Sequence, residues 1–406
     1  MKKRTNIIIL ISLLGFTLSN CIDEFDAKIP DGAVGRQLPG AGHIVAEASA
    51  DTDGGVGLLV VEGNIISDST VVFSLSRTFS LNEDDLPSGY NKITADVSVV
   101  GEDGSRIAGT SIGDGRYQVR IGTLNKQVRY GLEIVYEGDT YNSELQYPIE
   151  TAAIEEVTFE QPEDYGDIHI RLSTRNAGAT GPAYYIWTYE EDWEVRAAFY
   201  SKWIYDPVTD EVHIYETAPY AQGWIHAEST KTLVGSTESN AENLLKNKKM
   251  YSFASDNLRA SYYYSTLMKQ RALSKGEFEY YENKVKLSEE MGGLFTPQPS
   301  ELPTNITCSN SDKQAIGYVG VNMNVSEYRL YISTNDIQYD NPYECSLLPD
   351  GETENKSNYD LYIAGYRIAF SEMTGYQWAK KECTDVRSLG ATLNKPSFWP
   401  LPDRGY

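Results

Sequence analysis

The chain has 406 residues, a formal net charge of -23, 41% hydrophobic and 23% charged side chains, 33 Gly, 16 Pro and 4 Cys. These proportions exclude wholesale disorder, a collagen-like repeat and a polytopic membrane protein, and at about 150 residues per domain the length allows two or three cores. The acidity disfavours nucleic acid as a partner, because phosphate recognition needs a basic surface.

Met1-Lys2-Lys3-Arg4 is a basic leader, and the apolar stretch after it, Ile7 to Phe16, is too short for a stop-transfer helix. Residues 1–20 therefore read as a signal peptide. It ends on Leu18-Ser19-Asn20-Cys21, which resembles a bacterial lipobox. Such signals imply cleavage before the cysteine, a diacylglyceryl group on its thiol and acylation of the new amine. Several acyl chains hold a membrane stably where a single one does not. Cys21 is thus the expected lipidation site. Ile22 is not the Asp that retains lipoproteins in the inner membrane, so the outer membrane is the expected address. Asp23, Glu24 and Asp26 resemble the acidic export signal of surface lipoproteins in Bacteroidota, with a periplasm-facing chain as the alternative. Loss of Lys2, Lys3 and Arg4 with the leader takes the net charge from -23 to -26.

Residues 21–55 are rich in Gly, Ala, Pro and Asp without apolar periodicity, and read as a lipidated N-terminus and flexible tether. Over 56–150 short apolar runs alternate with turn residues. Leu58 to Glu62, Val71 to Leu75, Thr94 to Val99, Tyr117 to Ile121, Tyr130 to Tyr136 and Thr140 to Ser143 are predicted strands, broken at Glu102-Asp103-Gly104-Ser105 and Glu137-Gly138-Asp139. Six or seven strands in that length predict an immunoglobulin-like or transthyretin-like β-sandwich.

From 151 to 406 a larger, strand-rich α+β domain is expected. Val157 to Phe159, Ile168 to Leu172, Tyr184 to Tyr189, Val212 to Tyr215, Ile316 to Met323 and Tyr328 to Ile332 read as strands. Two helices interrupt them. A short one is expected from Ser239 to Asn247. A stronger one opens on the capping-box pattern Ser274-Lys275-Gly276-Glu277, buries Phe278, Tyr281 and Val285, and stops at Gly292-Gly293.

With Cys21 lipidated, Cys308, Cys345 and Cys383 remain, and an oxidising compartment implies one disulfide and one free thiol. Closing 308 to 345 or 345 to 383 contributes roughly 3–4 kcal/mol on the chain-entropy model. Cys308 with Cys345 is the favoured pair. No Cys-x-x-Cys occurs and His43, His169, His213 and His226 are scattered, so no metal site is expected.

Several pieces in order resemble one family, the outer-membrane lipoproteins called domain of unknown function 4249. They are Leu59-Val60-Val61-Glu62-Gly63, Ala95 to Val99, Gly115-Arg116-Tyr117, Tyr130-Gly131-Leu132, Ile186-Trp187-Thr188-Tyr189 with Asp192-Trp193-Glu194, Gly293 to Ser300, Asn305-Ile306-Thr307-Cys308, Ile316-Gly317-Tyr318, Glu382-Cys383-Thr384-Asp385 and Lys395 to Trp399. The resemblance implies a surface accessory protein that accompanies a TonB-dependent transporter in nutrient uptake. It brings no catalytic activity and no cofactor.

Chemistry-bearing motifs are few. Gly109-Thr110-Ser111-Ile112-Gly113 matches the nucleophile-elbow pattern, but that pattern needs a following helix and this one runs into turn sequence at Asp114-Gly115. Asp51-Thr52-Asp53 lacks the later acidic ligands of a calcium loop. Glu190-Glu191-Asp192 and Glu289-Glu290 offer carboxylate pairs of unknown separation. The remaining signal is aromatic, with 30 Tyr, 11 Phe and 6 Trp. Trp187, Trp193, Trp203, Tyr205 and Trp224 fall in one segment and Tyr262-Tyr263-Tyr264 in another, and rigid amphipathic rings serve a core or a binding surface equally. Three consecutive tyrosines cannot share one face of a strand, so one of them is expected to meet solvent or another domain. The expected function is a non-enzymatic outer-membrane lipoprotein presenting ligand to a TonB-dependent transporter. The alternatives are a stand-alone surface glycan- or peptide-binding lipoprotein and, more distantly, a secreted hydrolase using Ser111 or a carboxylate pair.

Overall fold

A computed structural model describes residues 57–78, 93–177, 181–240, 242–290, 302–373 and 375–400. The leader, Cys21, the tether, Asp51-Thr52-Asp53 and the expected helix stop at Gly292-Gly293 lie outside them. The protein is strand-rich with few helices, as its alternating runs predict.

The first half forms two five-stranded sheets. One runs in the order Ala315–Gly317, Leu59–Glu62, Thr70–Arg77, Arg116–Arg120, Thr110–Gly113. The other runs Ile306–Cys308, Asp139–Ser143, Tyr130–Tyr136, Asp96–Gly101, Arg106–Ala108. Alternation explains why they meet: Val71, Phe73 and Leu75 point inward from one sheet, Val97, Val99, Leu132 and Ile134 from the other, and all join a single apolar cluster. The breaker Glu137-Gly138 has φ of 53° and 86° and joins Tyr136 to its partner Asp139, the two-residue hairpin geometry that demands positive φ. Each sheet ends on a strand from far downstream. Ala315–Gly317 lies parallel to Leu59–Glu62, and the contact requires glycine: Gly317 has φ 140°, and a Cβ there would stand 2.2 Å from the Val61 carbonyl oxygen.

The second half is built on a long strand, Tyr184–Arg196. Gln222–Glu228 and Leu233–Ser236 pair with it on one side, Tyr263–Leu273 on the other, and Ser326–Ser333 follows beyond. A three-stranded sheet, Ile154–Glu160, Ile168–Arg175 and Leu244–Phe253, shares its core. Ile168, Ile170 and Leu172 there join Tyr185, Trp187, Tyr264 and Met268. Trp187 donates to Gln270 Oε1 at 2.8 Å, and Gln270 Nε2 reaches the Ala152 carbonyl at 2.8 Å and Thr174 Oγ1 at 3.0 Å, so this buried polar patch is satisfied.

The helix expected at Ser239 to Asn247 is instead the approach to strand Leu244–Phe253. Asn243 and Asn247 have φ of 48° and 50°, left-handed positions that interrupt any helix, and the apolar run that decides the element is Met250, Tyr251 and Phe253, buried beyond the window that looked helical. The second expected helix is present as Lys275–Glu290. Ser274 Oγ accepts from the Glu277 backbone N–H at 3.2 Å, but the Glu277 carboxylate does not complete the capping box. It accepts from Arg271 Nη1 at 2.7 Å, and Arg271 also donates to Asn322 Oδ1 at 3.1 Å. Asn322 pairs with Ile66, so this buried triad ties the long-strand sheet, the helix and the first pair of sheets together. Burial pushes the Glu277 carboxyl above its ordinary range, opposed by the Arg271 guanidinium.

A smaller lobe gathers around the hairpin Trp203–Asp206 and Glu211–Ile214, the helix Asn358–Ile363, and the hairpin Tyr366–Glu372 and Gly375–Lys380. Its core is Tyr205, Leu348, Leu361, Ile368 and Trp378. The disulfide is here, between Cys345 and Cys383 with Cα atoms 5.6 Å apart, not between Cys308 and Cys345 as the sequence favoured. The reason is positional. Cys308 ends an edge strand paired with Asp139–Ser143, its Sγ 3.1 Å from Ser311 Oγ, whereas Cys345 and Cys383 pack together against Ala369 and Ala379.

Candidate ligand-binding cleft

The hairpin Trp203–Asp206 and Glu211–Ile214 places Trp203 and Tyr205 on one face, since side chains two apart in a strand point the same way. Tyr205 is the floor. It is buried at 4% exposure, lies edge-on to Tyr362 and Trp378, and donates to Asp210 Oδ1 at 2.8 Å. Burial first, and then that bond, pushes its hydroxyl up to about 12. Trp203 is half-buried beside it, with its backbone tied to Ser201 Oγ on both the N–H and carbonyl sides.

Around this floor opens a cleft of about 310 Å³, the scale of a small-molecule site. Its walls come from three places in the sequence: Trp203 to Tyr220, Tyr362 to Ile368, and Thr384 to Arg387. Arg387 is chelated by Asp385 at 2.7 to 3.2 Å and lies 3.4 Å over the Tyr220 ring. The Asp385 bond raises its already high pKa further. Arg367 lies 3.8 Å over the Tyr362 ring, and its Nη1 donates to the Tyr362 and Tyr366 carbonyls at 3.1 and 2.7 Å. On the hairpin, His213 Nε2 stands 4.0 Å from Asp206 Oδ2. Tyr215, at the rim, is exposed. The cleft therefore brings together ring faces, oriented guanidinium groups and hydroxyls, the chemistry with which a polar ligand with a flat apolar face can be bound.

The other aromatic residues named by the sequence go elsewhere. Trp187, Trp193 and Trp224 are buried, Trp187 completely. Tyr264 is buried and donates to Glu191 Oε1, while Tyr263 faces the opposite side, against Tyr331 and Trp399, and Tyr262 lies under the Arg196 guanidinium. The three tyrosines do divide between faces, with Tyr262 and Tyr263 half-buried.

The acidic run on strand Tyr184–Arg196 is mostly neutralised. Glu191 is held bidentately by Arg259, at 2.9 and 3.0 Å. Glu194 accepts from Arg196, Gln222 and Trp399. Asp192 contacts His226 Nδ1 at 2.7 Å and Arg329 at 3.3 Å. Ser111 sits in the exposed edge strand Thr110–Gly113, which turns back into Arg116–Arg120 without a helix. Among the described residues no group of three or more His, Cys, Asp or Glu side chains is placed to hold a metal ion, and no helix is long and apolar enough to cross a membrane.

Of the residues lining the cleft, the sequence singled out Trp203 and Tyr205 but not Tyr220, Tyr362, Arg367 or Arg387. No local pattern marked them, since Tyr362 lies in a short helix, Arg367 in the strand after it, and Tyr220 and Arg387 in a turn and a short 3-10 helix far apart in the sequence.

A strand-rich protein with an aromatic- and arginine-lined cleft in its smaller lobe is the class that fold and site define. The model of the family described as domain of unknown function 4249 matches residues 45–329, and the chain belongs to that family. The match covers the hairpin wall of the cleft and stops before Tyr362, Arg367 and Arg387. Among curated proteins there is no match. Among solved structures, the chain is similar to a protein of the domain of unknown function 4785 family from Legionella pneumophila at 10% identity, over 54% of this chain and 53% of that one, with a TM-score of 0.18. That likeness carries no functional information.

Proposed function

We propose that this protein is a non-enzymatic lipoprotein of the outer-membrane surface, anchored through Cys21, that captures a small ligand in the cleft around Trp203 and presents it to a TonB-dependent transporter. The observation that carries the reading is the cleft itself: ring faces and fixed guanidinium groups arranged around the buried Tyr205, suited to holding a polar ligand with flat apolar faces, of sugar or short-peptide size. Membership of the family and the lipobox at Leu18 to Cys21 support the address. The strong acidity supports a self-repelling exterior that stays soluble beyond the anchor.

Affinity purification of the tagged full chain from detergent-solubilised outer membranes tests the partner. Recovery of a TonB-dependent transporter at stoichiometric yield is the expected result. Recovery of the lipoprotein alone, under detergents that keep such transporters folded, contradicts presentation and leaves a stand-alone surface binder.

A further inference from the structure

We infer that the ligand of this cleft is an acidic saccharide, with a sugar carboxylate held by Arg367 and a ring face stacked on the aromatic wall at Trp203. The inference deepens the proposed function and rests on the cleft being a binding site.

The argument starts from how the two arginines are satisfied. Arg387 is neutralised: Asp385 chelates it, so its charge is spent inside the protein. Arg367 forms no ion pair among the described residues. Its Nη1 is saturated by the Tyr362 and Tyr366 carbonyls, and the Tyr362 ring supports its plane at 3.8 Å. The Nε–H and both Nη2 protons find no partner among the described residues, yet the group is fixed in orientation. A planar guanidinium presenting unused donors in a fixed fork matches a carboxylate, and its rotamer entropy is already lost before the ligand arrives. Arg367 thus brings to the cleft a guanidinium that no carboxylate of the described residues neutralises, beside one, Arg387, that is neutralised.

The choice of saccharide follows from the rest of the wall. Pyranose rings have one face lined with C–H bonds, which stacks on indole or phenol faces, and equatorial hydroxyls that exchange hydrogen bonds with polar groups such as Asp206, His213 and Thr384. The Trp203 main-chain N–H and carbonyl are both taken by Ser201 Oγ, so at Trp203 the wall offers its side chain and not an open main-chain pair for an extended peptide.

The test uses the full lipidated chain in detergent micelles and two probes that differ only in charge: an oligouronate and the same oligosaccharide after chemical reduction of its carboxylates to primary alcohols. Isothermal titration is expected to show the oligouronate binding about tenfold or more tighter than its reduced form, and Arg367→Gln is expected to abolish that preference. Arg367→Lys, which keeps the charge but not the fork, is expected to retain part of it. A urea unfolding midpoint of Arg367→Gln matching that of the wild type shows that the lobe remains folded. Equal affinity of wild type for both probes, or a preference that survives Arg367→Gln, overturns the acidic-saccharide inference and leaves the cleft reading standing. Failure of both probes to bind the wild-type protein overturns the cleft reading as well.

Discussion

Glu277 and Arg271 sit at the junction of the two halves of the fold, and removing one of them has a cost that follows from the geometry. Glu277 has 0% exposure and Arg271 8%, so Glu277→Ala strands a guanidinium away from water with only neutral partners, the Asn322 side-chain oxygen and Tyr281, beside it. The lost charge-assisted bond at 2.7 Å and the uncompensated charge together cost about 3–5 kcal/mol. Replacing both residues, Arg271→Met with Glu277→Leu, removes the stranded charge and is expected to restore most of that loss. The pH dependence has a definite sign. The folded carboxyl is raised above its ordinary value of 4.5, so between 4.5 and the raised value the native state holds a proton that the unfolded state has released. Stability therefore falls as pH rises through that window, and the slope is absent in Glu277→Gln. Urea unfolding measures both effects, reading the cost from the shift in midpoint at constant slope. A Glu277→Ala cost below about 1 kcal/mol, or a slope of opposite sign, refutes the claim that this triad is a dry, charged joint.

Other outcomes follow from the same structure. Cys345→Ser opens a loop of sequence separation 38 and is expected to destabilise the smaller lobe by roughly 4 kcal/mol on the chain-entropy model, whereas Cys308→Ser leaves the unfolding midpoint nearly unchanged. Gly317→Ala meets both a positive φ and the Val61 carbonyl, so the parallel edge of the first sheet is expected to loosen, seen as faster hydrogen exchange along Leu59–Glu62. Tyr205 keeps its proton until about 12, so its share of the ultraviolet phenolate signal appears late in an alkaline titration and is lost in Tyr205→Phe; the stability from its bond to Asp210 is present below 10 and is lost as pH rises through about 12.

The period-2 runs made the first half legible. Tyr130 to Tyr136 was readable residue by residue, because alternate burial and the Glu137-Gly138 turn both act within a few positions. Long-range closure was not legible: nothing in Ile306–Cys308 or Ala315–Gly317 names the distant edge it covers. The misread helix at Ser239 to Asn247 came from a window that ended before Met250, and the misassigned disulfide from spacing that carries no information about which lobe holds each cysteine. Trp203 and Tyr205 were visible as part of an aromatic excess, but that excess is mostly core, as Trp187, Trp193 and Trp224 show. What sets Trp203 apart from Trp187, Trp193 and Trp224 is that it is half-buried and lines a cleft, and part of that lining, Arg367 and Arg387 included, comes from well over a hundred residues downstream.

The most direct test of the account is a titration of the full chain and of Trp203→Ala with the same oligosaccharide pair, alongside circular dichroism to verify the fold. Occupation of the cleft predicts that Trp203→Ala weakens binding of both probes by about tenfold or more with an unchanged spectrum. Wild-type affinity in the variant would place the ligand elsewhere and contradict the account.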